Sequence, residues 1–298
     1  MQRKLHPLEG IVAMCALVFV LALSIGFAQA DEIRDSSVRN IALRSSSALV
    51  QDADTGEVVF GKNADAVVPI ASITKLMTAM VTLDRGLDLD ERIVLSREDA
   101  VGMKGARSRL RTGLAIRRGD LLLLALMSSE NRAAAALGHS YPGGLEAFVD
   151  AMNAKAAVLE MNESRFVEPT GLSPANVSTA GDLARMVRAA HDYPLIREFS
   201  TKNRATVQAT TTTKRGIRTV PLQYGNTNGL VRSSYWDIEL SKTGYISEAG
   251  RCLVMHVRLA EKDLIVVLLD SWGKHSRIGD ANRIRKWLES GAVHGPQS

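Results

Sequence analysis

The chain has 298 residues, of which 46% are apolar and 23% are charged. This mixture is ordinary for a globular protein and excludes a disordered chain, a collagen-like repeat and a coiled coil. The 37 Lys and Arg residues give a formal net charge of +5 against 32 Asp and Glu, an excess that permits an anionic partner without requiring one.

Residues 1–30 have the pattern of a cleaved secretory signal. Arg3 and Lys4 supply a positive start, residues 11–27 are apolar and uncharged, and Ala28-Gln29-Ala30 precedes an acidic pair. We predict cleavage after Ala30 and a mature chain over residues 31–298. The alternative is an uncleaved membrane anchor, because the apolar run is slightly long for a signal. No later segment reaches the roughly 20 apolar residues that span a bilayer.

The first predicted elements of the mature chain are a hairpin and a helix. Residues 48–50 and 58–60 flank the turn sequence Asp54-Thr55-Gly56, which predicts a hairpin over residues 47–61. After Pro69, apolar residues recur with a helical period over residues 73–81. This pattern predicts a helix with one apolar face.

A block of helices follows, and then strands return. Residues 119–137 predict a buried helix interrupted near Ser128–Asn131, followed by helices over residues 145–159 and 182–190. The remaining predicted elements are a Thr-rich hairpin over 206–220, strands over 237–245, 252–259 and 264–271, and a last helix over 278–288. This order predicts an α+β fold, with a mostly antiparallel sheet built from both termini, flanking helices and an all-helical lobe.

Cys252 is the cysteine that remains once the signal, with Cys15, is removed. It has no partner for an intramolecular disulfide, and it lies in an apolar, strand-like run. We therefore interpret Cys252 as a small core residue. A Cys252–His256 nucleophile pair is the alternative.

Patterns for metal, nucleotide and nucleic-acid binding are weak. The six histidines show no H-x-x-H or H-x-x-x-H spacing and no C-x-x-C exists, so we predict neither a metal site nor a cofactor. The G-x-S-x-G, phosphate-loop and G-x-G-x-x-G patterns are also absent. A basic cluster lacks aromatic residues, so we interpret it as a solvated rim rather than a nucleic-acid surface. Its members are Lys104, Arg107, Arg109, Arg111, Arg117 and Arg118.

The sequence Ser72-Ile73-Thr74-Lys75 carries the clearest chemical signal. Residues i and i+3 share a helix face, so the Lys75 amine can reach the Ser72 hydroxyl. Serine needs a neighbouring base to act as a nucleophile, and a lysine whose pKa is lowered by burial can be that base. The pattern alone is weak, because S-x-x-K recurs at Ser271–Lys274.

Two further motifs follow Ser72 in order. Ser129-Glu130-Asn131 interrupts the helical block, and Lys242-Thr243-Gly244 lies at the end of a predicted strand. Together with S-x-x-K they form the trio typical of serine β-lactamases and penicillin-binding proteins. No other S-x-N or K-[ST]-G occurs in the chain.

With these motifs and their flanks, the chain resembles the low-molecular-mass penicillin-binding proteins, the D-alanyl-D-alanine carboxypeptidases and endopeptidases. The supporting flanks are Asp54-Thr55-Gly56, Pro69-Ile70-Ala71, Thr170-Gly171-Leu172, Asn226-Thr227-Asn228 and Gly244-Tyr245. The resemblance covers nearly all of the mature chain, and it implies a β-lactamase-like fold.

The resemblance implies a role for each motif residue. Ser72 would attack the carbonyl between two D-residues, Lys75 would take its proton, and Ser129 would relay a proton to the leaving amine. Asn131 would hydrogen-bond a substrate amide.

The strand motif would bind the substrate and stabilise negative charge. Lys242 and Thr243 would hold the negative end of the substrate, and two nearby cations would disfavour each other's charge. Gly244 would let the substrate backbone lie along the strand. The backbone N–H groups of Ser72 and Tyr245 would form the oxyanion hole.

Three activities compete within the resemblance. A class A β-lactamase needs a deacylating carboxylate, and Arg165 with Glu168-Pro169 superficially matches that element. The following Thr170-Gly171-Leu172 departs from it, so we interpret Glu168 as a surface carboxylate. The larger D,D-carboxypeptidases carry an additional C-terminal domain, for which the residues after Gly244 leave no room.

The short form most resembles the periplasmic D-alanyl-D-alanine endopeptidases, which cut peptide cross-links during cell wall biogenesis. We therefore predict one domain over residues 31–298 in the periplasm, without a stable membrane anchor. Its partners would be peptidoglycan stem peptides and β-lactam antibiotics as covalent inhibitors. A D-alanyl-D-alanine carboxypeptidase is the main alternative, and a catalytically dead cell-wall binding module is the alternative outside enzymes.

Overall fold

The elements of the fold come from a computed structural model that describes residues 41–100, 102, 108–259 and 261–290. The strands, in chain order, are β1 Ser45–Asp52, β2 Val58–Lys62, β3 Val68–Pro69, β4 Arg92–Val94, β5 Ala115–Arg117, β6 Val177–Ser178, β7 Arg204–Thr213, β8 Gly216–Gly225, β9 Asp237–Ile246, β10 Gly250–Leu259 and β11 Lys262–Ser271. The helices are α1 Thr74–Asp84, α2 Arg118–Met127, α3 Asn131–His139, α4 Gly144–Val158, α5 Ala180–His191, α6 Pro194–Thr201 and α7 Ser276–Glu289.

The main sheet joins strands from both ends of the described chain. Its five strands run antiparallel in the order β2-β1-β11-β10-β9, so the N-terminal hairpin pairs with the C-terminal meander. Residues 252–257 of β10 and 264–269 of β11 are buried without alternation. Both faces of these strands are covered, because α5 and α7 both pack against β10 and β11. The predicted sheet built from both termini is confirmed.

A buried carboxylate joins the last helix to the first strand. Asp280 on α7 is fully buried and accepts hydrogen bonds from the Ser45 backbone N–H and hydroxyl, both at 2.7 Å, and from the Arg44 N–H at 3.0 Å. Arg283 lies 2.5 Å from the same carboxylate. These contacts hold the start of β1 in the sheet.

The helical block packs around α1, which is buried on nearly every side. The predicted apolar face is present, but the threonines of α1 are buried as well. Their hydroxyls find backbone acceptors: Thr82 donates to the Thr78 carbonyl at 2.8 Å, and Thr78 donates to the Pro169 carbonyl at 2.7 Å. A central helix can therefore carry polar residues without leaving buried donors unpaired.

Two parts of the fold go beyond the prediction. The Thr-rich hairpin β7–β8 belongs to a second sheet with the order β4-β5-β7-β8, in which β4 and β5 have only three residues each. Helix α6 begins with Pro194 in its first turn, a helix-start signal that the sequence interpretation passed over. No helix within the described ranges has the length and apolar character to cross a bilayer. The predicted signal, residues 1–30, lies outside the described residues.

The basic cluster is not a uniform solvated rim. Arg118 is 2% exposed and pairs with Glu91 at 2.5 Å, so the interpretation was wrong for this residue. Arg117 forms ion pairs with Asp90 and Asp120. Lys104 and Arg107 lie outside the described residues.

Candidate active site

Ser72 and Lys75 face each other at the start of α1. A 3₁₀ turn over Ala71–Ile73 leads directly into the helix, and the Lys75 Nζ lies 2.8 Å from the Ser72 Oγ. Ser72 is 8% exposed, whereas Lys75 is fully buried. The predicted contact across one helical turn is confirmed, with the serine slightly exposed and the amine fully buried.

The Lys75 amine is held by oxygen atoms from three directions. Besides the Ser72 Oγ, it donates to Asn131 Oδ1 at 2.8 Å and to the backbone carbonyl of Thr170. Burial lowers the pKa of Lys75 to about 8, against the opposing charges of Glu168 and Glu130. At neutral pH about a tenth of the molecules therefore carry a neutral amine that can accept a proton.

Ser129 lies in the turn between α2 and α3 and contacts Lys242, the second lysine of the site. The Lys242 Nζ donates to the Ser129 Oγ at 2.8 Å and to the Thr243 carbonyl at 2.7 Å. Ser129 has φ +57°, a left-handed conformation that costs about 1–3 kcal/mol for a residue other than glycine. Strain at this position is consistent with a side chain held for chemistry.

Glu130 and Asn131 complete this turn in different ways. Glu130 caps α3 by accepting from the Ala133 N–H at 2.8 Å, and it also accepts from the Ser108 hydroxyl. Glu130 therefore has a structural role that the sequence did not indicate. Asn131 uses its oxygen on Lys75, and no described residue accepts from its Nδ2.

The Lys242-Thr243-Gly244 motif lies on β9, the edge strand of the main sheet. Lys242 is fully buried, and its pKa is well below its usual range because of burial first, then the charge of Lys75 and then that of Arg277. An anionic group of a substrate would favour the charged form of this amine. The Thr243 hydroxyl lies 2.6 Å from the Thr227 hydroxyl.

Gly244 brings β9 against the backbone of the nucleophile. A Cβ at this position would lie 3.0 Å from the Ile70 carbonyl oxygen and 3.2 Å from the Ser72 nitrogen, so a side chain would force the two backbones apart. The next residue, Tyr245, has a side chain that is 55% exposed, with the Arg251 guanidinium 4.5 Å from the ring centre. The tyrosine side chain is thus turned toward solvent while its backbone stays beside the turn of Ser72.

Arg277 is a residue that the motif analysis missed. From α7 it donates to the Gly244 carbonyl at 2.7 Å and to the Cys252 carbonyl at 3.1 Å. Burial lowers the pKa of Arg277, and the guanidinium supports the motif strand from behind. Cys252 itself is fully buried, and burial raises its pKa to about 11, which fits the predicted core residue rather than a nucleophile.

The loop over residues 168–176 is the part of the site that the sequence interpretation placed wrongly. Glu168 is not a surface carboxylate, because its two oxygens accept hydrogen bonds from donors of its own loop. The Thr170 carbonyl of this loop contacts the Lys75 amine, and Gly171 packs against the carbonyl of Ala71. A backbone carbonyl has no sequence signature, so only the flanking Thr170-Gly171-Leu172 pattern pointed to this region.

The second S-x-x-K copy does not form a comparable pair. Ser271 is buried at the end of β11 with a hydroxyl that has no partner among the described residues, whereas Lys274 is exposed in the following loop. The Ser72 hydroxyl therefore has a lysine amine in contact, whereas the Ser271 hydroxyl has none in the part of the chain that the structure describes.

One group of side chains outside the cleft has potential metal ligands. His191 Nε2 and His256 Nδ1 approach Glu239 Oε2 at 2.5 and 3.4 Å. The two imidazole rings are stacked, with centres 3.8 Å apart and an interplanar angle of 12°. The two rings lie in nearly parallel planes, whereas the ligands of a tetrahedral Zn²⁺ site approach the ion from the corners of a tetrahedron, so this arrangement does not fit that ligand set.

The chain matches a family model described as D-alanyl-D-alanine carboxypeptidase over residues 34–273. It is 51% identical over 251 residues to the D-alanyl-D-alanine endopeptidase of Pseudomonas aeruginosa, which covers 84% of this chain and 79% of that protein. The identity to the D-alanyl-D-alanine endopeptidase of Escherichia coli is 49% over 251 residues, with the same coverage of both chains.

Solved structures share the fold. The Streptomyces K15 DD-transpeptidase superposes with a TM-score of 0.76 at 28% identity, covering 84% of this chain and 98% of that one. The D-alanyl-D-alanine carboxypeptidase from Mycobacterium tuberculosis H37Rv gives a TM-score of 0.71 at 26% identity, covering 86% of this chain and 94% of that one. The family match includes every residue of the cleft from Ser72 to Tyr245.

Proposed function

Because the chain belongs to the D-alanyl-D-alanine carboxypeptidase family of serine peptidases, we propose that Ser72 forms the acyl-enzyme of a peptidoglycan D,D-endopeptidase. The chain is a serine-type D-alanyl-D-alanine endopeptidase, as the sequence predicted. The observation that carries the assignment of the nucleophile is the 2.8 Å contact between the Ser72 hydroxyl and a buried lysine amine.

Acylation begins with a proton transfer from Ser72 to Lys75. The neutral amine accepts the hydroxyl proton as the Ser72 Oγ attacks the carbonyl carbon between two D-residues. Negative charge then develops on the carbonyl oxygen, and the backbone N–H groups of Ser72 and Tyr245 stabilise it. A donor in such a position lowers the activation free energy by roughly 3–4 kcal/mol.

The leaving amine takes its proton from the other side of the cleft. The Ser129 hydroxyl, which accepts from the Lys242 amine at 2.8 Å, can donate its proton to the departing nitrogen and take a proton from that amine in exchange. Asn131 Nδ2 is available to bind a substrate carbonyl, and Lys242 with Thr243 binds the negative end of the substrate. Side chains and backbone amides supply each of these steps, so we propose no cofactor.

Glu168 does not fit the role of a β-lactamase base. A deacylating carboxylate must accept a proton from water, but both oxygens of Glu168 are occupied by N–H and O–H donors of the loop. The acyl-enzyme that Ser72 forms with penicillin is therefore long-lived. β-Lactam antibiotics act on the protein as covalent inhibitors rather than as substrates.

The proposed setting of the reaction is the periplasm. The relatives are named D-alanyl-D-alanine endopeptidases, and residues 1–30 have the pattern of a cleaved signal. We propose that residues 31–298 form one peptidase domain that acts there on peptidoglycan stem peptides.

Covalent labelling with a fluorescent penicillin tests the nucleophile. Wild type is expected to become labelled at Ser72, and Ser72→Ala is expected to remain unlabelled. Undiminished labelling of Ser72→Ala contradicts the assignment, and an unlabelled wild type favours a cell-wall binding module.

A further inference from the structure

Glu168 organises the loop that closes the back of the active site. Its Oε2 accepts from the Thr170 N–H and hydroxyl, both at 2.6 Å. Its Oε1 accepts from the Gly171 N–H at 2.6 Å, the Asn176 side-chain amide at 3.0 Å and the Ser173 N–H at 3.3 Å. Five donors thus converge on one carboxylate, an arrangement that fixes the loop backbone.

The loop held in this way touches both members of the nucleophile pair. The Thr170 carbonyl accepts from the Lys75 amine and lies 3.4 Å from the Ser72 Oγ. Asn176 extends the contact, because its side-chain amide also donates to the Thr74 hydroxyl at 3.1 Å. A displacement of the loop is therefore transmitted to the general base.

We infer that Glu168 is a positioning residue for the general base, which it orients through the Thr170 carbonyl. This inference rests on the proposed function, in which Lys75 accepts the proton of Ser72. Glu168 touches neither the serine nor the substrate carbonyl in this role. It sets where the lone pair of the Lys75 amine points.

The arrangement requires a carboxylate rather than an amide. Every partner of Glu168 in the loop donates a hydrogen bond, and a glutamine has only one acceptor oxygen. In either orientation of the amide, its NH₂ group faces a backbone N–H, of Thr170 or of Gly171. The substitution Glu168→Gln therefore leaves at least one donor of the loop without an acceptor.

The charge of Glu168 also reaches the amine that it positions. The carboxylate of Glu168 and that of Glu130 both raise the pKa of Lys75, opposing burial, and the neighbouring cation is Lys242, whose own pKa is lowered by burial and then by the charge of Lys75. Removal of the Glu168 charge lowers the pKa of Lys75. The rise of the acylation rate with pH then occurs at lower pH, a change that a merely loosened loop does not produce.

The test is the pH dependence of penicillin acylation in three variants. Glu168→Gln removes the charge, Glu168→Asp keeps the charge but shortens the reach, and Glu163→Gln is the matched control on an exposed glutamate of a nearby turn. The acylation rate is followed by intact mass from pH 6 to pH 9, and thermal unfolding checks that each variant folds.

The inference predicts a distinct result for each variant. Glu168→Gln lowers the maximal acylation rate about tenfold or more. It also moves the midpoint, the pH at which the acylation rate is half of its maximum, to lower pH. Glu168→Asp lowers the maximal rate but keeps the midpoint, and Glu163→Gln matches wild type. If Glu168→Gln does not fold, Glu168→Asp carries the test: its maximal acylation rate falls although its thermal unfolding matches wild type, and a wild-type rate overturns the inference.

Three results overturn the inference. One is a wild-type acylation rate, either in Glu168→Gln together with a wild-type midpoint or in Glu168→Asp. Another is a lowered rate with an unchanged midpoint in Glu168→Gln, which indicates only a structural role. The third is an acyl-enzyme that wild type hydrolyses in seconds and Glu168→Gln retains for hours, which makes Glu168 a deacylating base. Failure of wild type to acylate at all instead rejects the proposed function.

Discussion

Replacement of Gly171 by alanine should separate the loop from the nucleophile. Gly171 has φ +77°, and a Cβ there would lie 2.0 Å from the Ala71 carbonyl oxygen and 2.8 Å from the Ser72 nitrogen. A carbon and a carbonyl oxygen need about 3.3 Å, so the two backbones must move apart by about 1 Å. A misplacement of this size costs about a hundredfold in rate, and the left-handed conformation costs alanine a further 1–2 kcal/mol of stability, roughly.

Gly144 provides a matched control for this substitution. It has the same φ of +77°, but a Cβ there meets nothing within 4 Å. Gly144→Ala should therefore lose about 1–2 kcal/mol of unfolding free energy and acylate with penicillin at the wild-type rate. Gly171→Ala should lose more stability and acylate about a hundredfold more slowly. Equal acylation rates in the two variants, measured on folded protein, refute the argument that the loop abuts the turn of Ser72.

Three further predictions follow from the buried charges. Because the pKa of Lys75 is lowered to about 8 and the neutral amine is the base, penicillin acylation should rise about fivefold from pH 7 to pH 8; a rate that is flat from pH 6 to pH 8 contradicts this. Lys242→Ala should weaken penicillin binding and slow acylation, each at least about tenfold. Lys242→Arg should recover only part of the binding and of the acylation rate, since a planar guanidinium differs from an ammonium. An unchanged acylation rate in Lys242→Ala excludes a catalytic role. Asp280→Ala should lower the unfolding free energy by about 3 kcal/mol in denaturant titrations, since two backbone N–H groups lose their buried acceptor, while acylation per folded molecule stays constant.

The helix of the nucleophile and the strands of the main sheet were predictable because their signals are local. The period of apolar residues after Pro69 gives α1, and the S-x-x-K spacing follows from one helical turn. The family resemblance adds Ser129 and Lys242, which the structure joins at 2.8 Å although they are far apart in the chain. The predicted strands at both ends of the chain were recognised from β-prone runs bounded by turns.

The remainder could not be predicted because it depends on backbone groups and on short elements. The Thr170 carbonyl leaves no mark on the identity of residue 170, and the direction of Glu168 depends on how its loop folds back. The strands β4 and β5 are too short for an alternating pattern. Arginine is usually exposed, and the burial of Arg118 goes with partners that are far from it in the chain, Glu91 and Ser140.

The central claim is that Ser72 cleaves the cross-link between peptide stems. The most direct measurement is mass spectrometry of the products of purified cross-linked muropeptide dimers after incubation with wild type, Ser72→Ala and Ser271→Ala. Ser271 is the matched control, because its hydroxyl is buried without a partner among the described residues. Wild type and Ser271→Ala should convert dimers into monomers at equal rates, and Ser72→Ala should leave them intact. Dimer cleavage by Ser72→Ala, or release of only terminal D-alanine by wild type, contradicts the account.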